Sequence, residues 1–299
     1  MRVIVIALAF ILSALSQGRA TTPALSLASA TARPILWEVS DSDSRVWMLG
    51  SVHALPREVE WRTPKIDELI RTSPIVYFET DVDKTAYRSI SDAWLRHSND
   101  RRVIDLSYKL KPGSWRKLEK VVEEEGLNLA DFYFVQPWYA EKLIRDARAE
   151  DTGARTQYGV DYVIKREAGA AHKDIRYLET ADDQISAISA APESEALADL
   201  EKYLDTIDED SRNDLFNRLV TAWHRGDANG MEALLQEEPM SPSVYDALLV
   251  DRNSNWTDKI SELMEGKGQA LIVVGAAHLI GKDSVPSMLK KKGFAVTRY

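Results

Sequence analysis

The sequence predicts an α/β fold with a mixed central sheet and a largely helical middle section. Segments of strand length, rich in branched and aromatic residues, occur near the start and the end of the predicted domain. Helical periodicity dominates the residues between them, from about 84 to 266. With 299 residues and 44% hydrophobic content, the chain is long enough for one large or two modest domains.

The first predicted elements are two strands, a helix and a third strand. "PILWEVS" and "RVWMLGS" flank the turn cluster "DSDS" and predict a β-hairpin. "TPKIDELIRTS" predicts a helix, with Thr63 as N-cap and Pro64 at the first helical position. "PIVYFETD" predicts a strand, and the order strand, helix, strand predicts a parallel pairing of the flanking strands.

The middle and the end of the chain continue this alternation. "KTAYRSISDAWLRHS", "SWRKLEKVVEEEG" and "QPWYAEKLIRDARAE" have helical periodicity. "YGVDYVIKREAG" predicts a helix that leads into a strand at 175–178, and 184–266 is helical with breaks near "APES", "RGDANG" and "EEPMSPS". The end, from "GQALIVVG" to "GFAVTRY", predicts strand, turn, helix and strand.

The N-terminus has the pattern of a secretory signal. An early Arg precedes an apolar stretch from Val3 to Leu15, which is shorter than the ~20 residues that span a bilayer. We expect cleavage after Ala20, with Ser16 as the alternative, so that 1–20 is the signal peptide and 21–33 a flexible mature N-terminus. The folded domain is expected at 34–299, in a periplasmic or secreted protein without a stable membrane span.

Composition restricts the partners. A formal charge of −9 argues against nucleic acid, whose phosphates are bound by clustered Lys and Arg. The chain has no cysteine, so stability must come from the core and from any bound metal. The sequence indicates a peptide or small-molecule substrate and gives no indication of oligomeric state.

Repeated Gly-x-x-His turns are the strongest local signal. With 14 Gly and 5 His, chance predicts about 0.2 such matches, and the sequence holds three. Gly50/His53 and Gly275/His278 each follow an apolar run, which places both histidines at the carboxyl ends of strands. The third, Gly169/His172, precedes its strand. Glycine permits a sharp turn and leaves room for a ligand.

"PIVYFETD" brings Glu79 and Asp81 to the same end of a third strand. Two histidines and a carboxylate are the composition of a catalytic site for a divalent ion, here Mn, Co, Zn or Fe. Alternation along a strand places Glu79 and Asp81 on one face of the sheet. Either carboxylate could therefore be the metal ligand, with the other as the general base. Each residue also has a structural interpretation, as a hydrogen-bonded histidine or a helix-capping carboxylate, and His97, His172 and His224 are expected at the surface.

The segments "WMLGSVHALP", "VYFETD", "YGVDYVIKREAG", "IRYLETADDQ", "WHRGD", "LLVDRNSNWTDKI" and "LIVVGAAHLIGKDSVPSMLKKKGFAV" resemble the TraB/PrgY/GumN family in order and spacing. The family includes the metalloprotease-like Tiki proteins and is related to erythromycin-esterase and ChaN-like proteins. The resemblance covers about 34–299 and implies an α/β fold with paired βα repeats around the site. Its motifs fall on Gly50/His53, Gly275/His278, Glu79 and Arg252-Asn253. Asp161 and Glu179 also match family positions.

These observations together predict an exported metal-dependent hydrolase, peptidase-like in its chemistry. His53, Glu79 and His278 would hold the ion, and Asp81 or Glu179 would accept the proton of a water. Arg252, with Asn253 beside it, would bind the oxyanion or the substrate's carboxylate.

Two alternatives remain open. The first is a periplasmic binding protein without turnover that sequesters a peptide, haem or metal, for which the aromatic segment "FYFVQPWY" offers contacts, although such spacing is also typical of a core. The second is an accessory factor in envelope polysaccharide export, which depends on the family label alone.

Overall fold

A mixed six-stranded sheet organises the molecule in a computed structural model that describes residues 31–81, 97, 105–207, 214–237, 240–266 and 268–299. The strands are β1 Leu36–Ser40, β2 Ser44–Ser51, β3 Ile75–Phe78, β4 Asp174–Tyr177, β5 Gly268–Gly275 and β6 Ala295–Arg298. Their order across the sheet is β4-β3-β5-β2-β1-β6. The predicted α/β class is confirmed.

The sheet combines a parallel part and an antiparallel part. β4, β3, β5 and β2 run parallel, whereas β1 pairs antiparallel with β2 and with β6. The predicted hairpin is β1 and β2. The predicted direct pairing of β2 and β3 is wrong: both strands are parallel, but β5 lies between them and pairs with each. A strand from the end of the chain thus separates two that are close in sequence.

The helices agree with the predicted periodic segments where the structure describes them. They are α1 Pro64–Thr72, α2 Leu106–Lys109, α3 Pro112–Glu124, α4 Pro137–Asp151, α5 Val160–Ala170, α6 Ala181–Ile188, α7 Glu193–Thr206, α8 Asp214–His224, α9 Ala228–Glu237, α10 Pro242–Tyr245, α11 Arg252–Met264 and α12 Val285–Lys291. Thr63 caps α1 as predicted, because its side chain accepts from the Ile66 N–H at 3.2 Å. A π-helical segment, Asp246–Asp251, joins α10 to α11.

Two large hydrophobic cores and a smaller cluster around Leu248 support the fold in the described residues. The first lies on the sheet and includes Met48, Leu49, Val76 and Val273. The second is formed by α2, α3, α4 and α7 around Leu118, with members that include Phe132 and Ile144. The second core packs helix against helix, so this part of the middle section buries its apolar faces without the sheet.

Some predictions concern residues outside the described ones. The signal peptide at 1–20, most of the N-terminal segment 21–33 and, apart from His97, the predicted helix at 84–98 belong to them. Within the residues that the structure does describe, no helix is long and apolar enough to cross a membrane.

Candidate functional site

The two Gly-x-x-His turns lie side by side at the carboxyl end of the sheet. β2 and β5 are parallel neighbours, and Ser51 is directly opposite Gly275 in their register. A Cβ on Gly50 would lie 3.1 Å from Cα and Cβ of Ala276. Gly50 therefore permits the close packing of one turn on the other, because a Cβ there would be in tight contact with Ala276.

Gly275 marks the centre of the site. A Cβ at this position would lie 3.2 Å from Glu79 Oε1, 3.4 Å from His53 Nε2 and 3.5 Å from His278 Cδ2. The three predicted ligands therefore surround one small volume, as expected for residues that follow neighbouring parallel strands. The Gly275 N–H also donates to Glu79 Oε1 at 2.6 Å.

His53 is oriented by Asp161, in the first turn of α5. Its Nδ1 lies 3.0 Å from Asp161 Oδ1. Its Nε2 is buried, has no hydrogen-bond partner in the part of the chain that the structure describes, and lies 3.8 Å from Glu79 Oε1. His53 thus presents an unsatisfied ring nitrogen to the centre of the site.

The motif "YGVD" explains how Asp161 reaches His53. The Val160 N–H donates to the Val52 carbonyl at 3.1 Å, which docks the start of α5 on the first histidine turn. Gly159 makes this docking possible, because a Cβ there would lie 2.0 Å from the His53 carbonyl oxygen and 2.5 Å from its carbonyl carbon. The motif therefore positions a histidine.

Gly159→Ala should displace His53 and break its contact with Asp161, because both clashing atoms belong to the backbone. We expect a loss of about 1–3 kcal/mol in the free energy of unfolding and a His53 pKa that falls toward its ordinary value. Urea unfolding and NMR titration of the ring measure both. Gly113→Ala is the matched control, because a Cβ there meets no atom of the described residues within 4 Å. Equal effects of the two variants would contradict the proposed contact.

His278 is held at both ring nitrogens. Its Nδ1 donates to Asn253 Oδ1 at 2.6 Å, and its Nε2 accepts from Arg252 Nη1 at 3.1 Å. The Asn253 amide in turn donates to the Asp283 carbonyl at 2.8 Å. Burial, followed by the charge of Arg252, lowers the pKa of His278 to about 3, so the ring is neutral. Asn253, predicted to bind substrate, orients His278 here.

Glu79 receives donors from three elements. Its Oε2 accepts from Arg252 Nη2 at 2.8 Å and from Gln184 Nε2 of α6 at 3.0 Å. Burial alone would raise the pKa of Glu79, but Arg252, the two histidines and the Gly275 N–H lower it to about 2. Glu79 is therefore a carboxylate at any physiological pH.

Arg252 is the hub of the site, with its side chain 5% exposed. Its Nε and Nη2 donate to Glu179 at 2.9 and 2.6 Å, and Nη2 also donates to Glu79. Its Nη1 donates to His278 Nε2 and to the Leu248 carbonyl, both at 3.1 Å. A guanidinium has five N–H groups, and all five are engaged. The role predicted for Arg252, to bind an oxyanion or a substrate carboxylate, would require one of these bonds to be released.

The π-helical segment positions Arg252. It ends directly before Arg252, and its Leu248 carbonyl accepts one N–H of this side chain. π-Helical turns are rare and frequently occur at functional sites. Arg252 and Asn253 follow this segment directly, and their side chains contact Glu79 and His278 at the strand ends.

The two carboxylates predicted as proton acceptors lie in different surroundings. Glu179 is buried and accepts from Arg252 and from the Trp256 indole N–H at 3.1 Å. Asp81 accepts from Lys165 Nζ at 2.6 Å and Tyr177 OH at 3.0 Å. The strand ends at Phe78, so alternation does not place Asp81 on the face of Glu79. Neither carboxylate is assigned as a base.

Charge balance explains why His53 binds a proton tightly. Burial opposes a charged ring, but Asp161 and Glu79 outweigh it and raise the pKa of His53 to about 9. Among the described residues, the site contains three carboxylates, those of Glu79, Asp161 and Glu179, and one guanidinium, that of Arg252. A second positive charge, on the protonated ring of His53, is therefore favourable.

The metal-free protein should lose stability as the pH rises from 6.5 to 9. The folded pKa of His53 exceeds the unfolded value, so its contribution is complete below about 6.5 and disappears as pH rises through about 9. Urea unfolding across this interval, in the presence of a chelator, measures the effect. His53→Gln should have a flatter profile; parallel profiles for the two proteins would contradict the raised pKa.

The other histidines lie elsewhere. His172 follows α5 with φ 52 and is exposed, as predicted. His97 contacts Asp182 on α6 and Ser189, the residue that follows this helix. The prediction of a surface position for His224 is wrong: it is 2% exposed, and its Nε2 lies 2.8 Å from the Glu60 carbonyl oxygen. Its burial depends on packing between α8 and the loop before α1.

The fold and the site together define an α/β protein with a buried cluster of His, Glu and Arg at the ends of parallel strands. The chain belongs to the TraB/PrgY/gumN family, whose model matches residues 35–298. It is 25% identical over 243 residues to the uncharacterized protein YbaP of Escherichia coli (strain K12). The aligned residues make up 81% of this chain and 87% of YbaP. The YbaP protein of Shigella flexneri matches equally well. No solved structure shows a significant match.

Proposed function

We propose that this protein is a metal-dependent hydrolase that acts on a carbonyl substrate such as a peptide bond. The observation that carries the proposal is the orientation of the two histidines. Asp161 contacts Nδ1 of His53, and Asn253 accepts from Nδ1 of His278. Of the two Nε2 atoms, that of His53 has no hydrogen-bond partner among the described residues, and that of His278 accepts from Arg252. Histidines that ligate metals are held in this way through their other nitrogen.

The donors suit a divalent transition metal ion. His53 Nε2 has no hydrogen-bond partner among the described residues, and the low pKa of Glu79 keeps this side chain ionised. Gly275 has no side chain to fill the space between them. Two imidazoles and a carboxylate are typical ligands of catalytic Zn, Mn, Co or Fe. Among the described residues, no three His or carboxylate side chains are already arranged to hold a metal ion. His278 Nε2 in particular accepts from Arg252. Its ligation requires the guanidinium to release that bond.

Such an ion would lower the pKa of a bound water and polarise the carbonyl. The residues of the chain have supporting roles that their contacts define. Asp161 and Asn253 fix the two rings, and Gln184 and the Gly275 N–H fix Glu79. Arg252 neutralises Glu79 and Glu179, which keeps two buried carboxylates close together without repulsion.

Metal content and turnover test the proposal together. The protein is purified without chelator or affinity metal, and its metal is measured by mass spectrometry. Hydrolysis of peptide libraries and esters is then followed with added Mn, Co, Zn or Fe. We expect stoichiometric metal and metal-dependent turnover. Metal without turnover would favour the binding-protein alternative, and neither metal nor turnover would refute the proposal.

Gly275→Ala makes the test specific to this site. The added methyl group occupies the space between the three ligands without removing any of them. We expect metal affinity to fall about 10- to 100-fold, the range for changes around a metal ligand, while the fold is kept. Gly113→Ala should bind metal like the wild type, since a Cβ there contacts nothing.

We also propose that the protein is exported. The apolar stretch from Val3 to Leu15 and the small residue Ala20 support this. Mature protein in a periplasmic fraction should begin near Thr21, which N-terminal sequencing measures. Membrane-bound protein that retains Met1 would contradict export with cleavage.

A further inference from the structure

An apolar pocket adjoins the site on the side of His278. It has a volume of about 50 Å³ and lies between α8, α9, the π-helical segment and the two histidine turns. Its walls include Leu219, Val220, Met231 and Leu248. Gly275 and His278 belong both to the pocket and to the polar site. A group in the pocket is therefore next to the proposed metal ligands.

The pocket has an exposed side. Phe216, Leu235, Met240 and Leu249 line it and are only partly buried. None of the described residues that line it carries a permanent charge, so an ionic group finds no counter-charge among them and would be costly to desolvate. The physical properties of the walls thus favour an uncharged, aliphatic group that enters from this side.

Ser51 adds one polar contact to this apolar surface. It lines the pocket and is 2% exposed, and its hydroxyl has no hydrogen-bond partner in the described chain. A buried unpaired hydroxyl costs stability, so such groups usually have a partner in the functional state. Ser51 is directly opposite Gly275 in the sheet register, at the edge of the metal-ligand centre.

We infer that this pocket is the specificity pocket of the enzyme and that it takes an uncharged aliphatic group attached next to the scissile carbonyl. The Ser51 hydroxyl donates a hydrogen bond to the carbonyl oxygen next to this group. The inference depends on the proposed hydrolase function for its catalytic meaning. The same aliphatic chemistry occurs in a leucine or methionine side chain and in a short acyl chain, and the substrates below distinguish the two.

The first test measures turnover as a function of chain length. p-Nitrophenyl esters from acetate to octanoate, and peptides with Ala, Leu or Met at each position, serve as substrates. We expect kcat/KM to rise about fourfold for each added methylene until the pocket is full. A rise with the esters identifies an acyl chain as the occupant, and a rise with the peptides identifies an amino-acid side chain. Turnover that is independent of chain length and side chain would overturn the pocket while the hydrolase proposal stands.

The second test measures binding without chemistry. Methyl ketones from 2-butanone to 2-decanone are titrated by NMR, because they combine a carbonyl with an aliphatic chain and have no bond to hydrolyse. Affinity should rise by the same factor for each methylene. Chain-length-dependent binding without turnover would support the pocket and refute the hydrolase, whereas affinity independent of chain length would overturn the pocket.

Variants tie both measurements to these residues. Leu235→Trp should fill the mouth and remove the preference for long chains, while Phe216→Ala should shift it to longer ones. Leu215→Trp is the control, since Leu215 is on the same helix as Phe216 but does not line the pocket. Melting temperatures confirm that each variant is folded. Unchanged chain-length profiles in both pocket variants would overturn the inference.

Ser51→Ala separates a ligand contact from a structural role. Removal of an unpaired hydroxyl should leave the melting temperature unchanged or raise it. Ketone affinity should fall about 2- to 10-fold, the equivalent of one hydrogen bond. A lower melting temperature with unchanged affinity would show that the hydroxyl is structural and would overturn its assigned role.

Discussion

Arg252→Met should destabilise the protein by about 3–5 kcal/mol, the cost of a buried ion pair that loses one partner. Arg252 neutralises Glu79 and Glu179 at N–O distances of 2.8 and 2.6 Å, with all three side chains about 5% exposed. Methionine has a similar volume but no charge, so Glu179 loses its cationic partner and Glu79 keeps only protonated His53, 3.8 Å away. Urea unfolding at neutral pH measures the loss.

Arg218→Met is the matched control for this experiment. Arg218 pairs with Glu237 at 2.6 Å, but both side chains are more than 40% exposed. An exposed pair contributes at most about 1 kcal/mol. Adding Glu79→Gln and Glu179→Gln to Arg252→Met should recover part of its stability, because the uncompensated charges are then absent. If Arg252→Met and Arg218→Met lowered the free energy of unfolding equally, Arg252 would not be the cation that stabilises the buried carboxylates.

His278→Ala should reduce hydrolysis at least about 100-fold, because it removes a proposed metal ligand. It should also cost about 1–3 kcal/mol of stability, since Asn253 and Arg252 each lose a buried partner. Turnover, metal stoichiometry and melting temperature are measured on the same preparation. Loss of metal identifies a ligand, whereas full metal content with a lowered melting temperature would show that His278 only supports the fold.

His172→Ala is the control that the chain itself provides. His172 ends a Gly-Ala-Ala-His string identical to the one that ends in His278, but it is exposed and lies before β4. We expect metal content and turnover of the wild type. Loss of either property in His172→Ala would move the site to the other copy of the motif.

The proximity of His53, Glu79 and His278 was predictable from local patterns. Each residue follows an apolar run, and the carboxyl ends of parallel strands meet at one edge of a sheet. Periodicity likewise predicted the hairpin, α1 with its Thr63 cap, and the order of elements at the end of the chain. These features depend on residues that are close in sequence, so the sequence contains the information that decides them.

The partners of the site residues were not predictable in this way. Glycine and aspartate in "YGVD" have the appearance of a helix start, and nothing local shows that Gly159 contacts the His53 backbone or that Asp161 contacts its ring. Arg252 and Asn253 were expected to bind substrate, but they hold Glu79, Glu179 and His278.

The sequence by itself determined the α/β class, the two histidine turns and the side chains that meet at the strand ends. Only the tertiary structure decided that β5 separates β2 from β3, that His224 is buried, and that Arg252 is the cation among the carboxylates. The physical reason is that a periodic pattern specifies which face of an element is buried but not which element covers it. The partners and the charge balance of the buried site residues are largely set by residues between 25 and 196 positions away in the sequence, which only folding brings together.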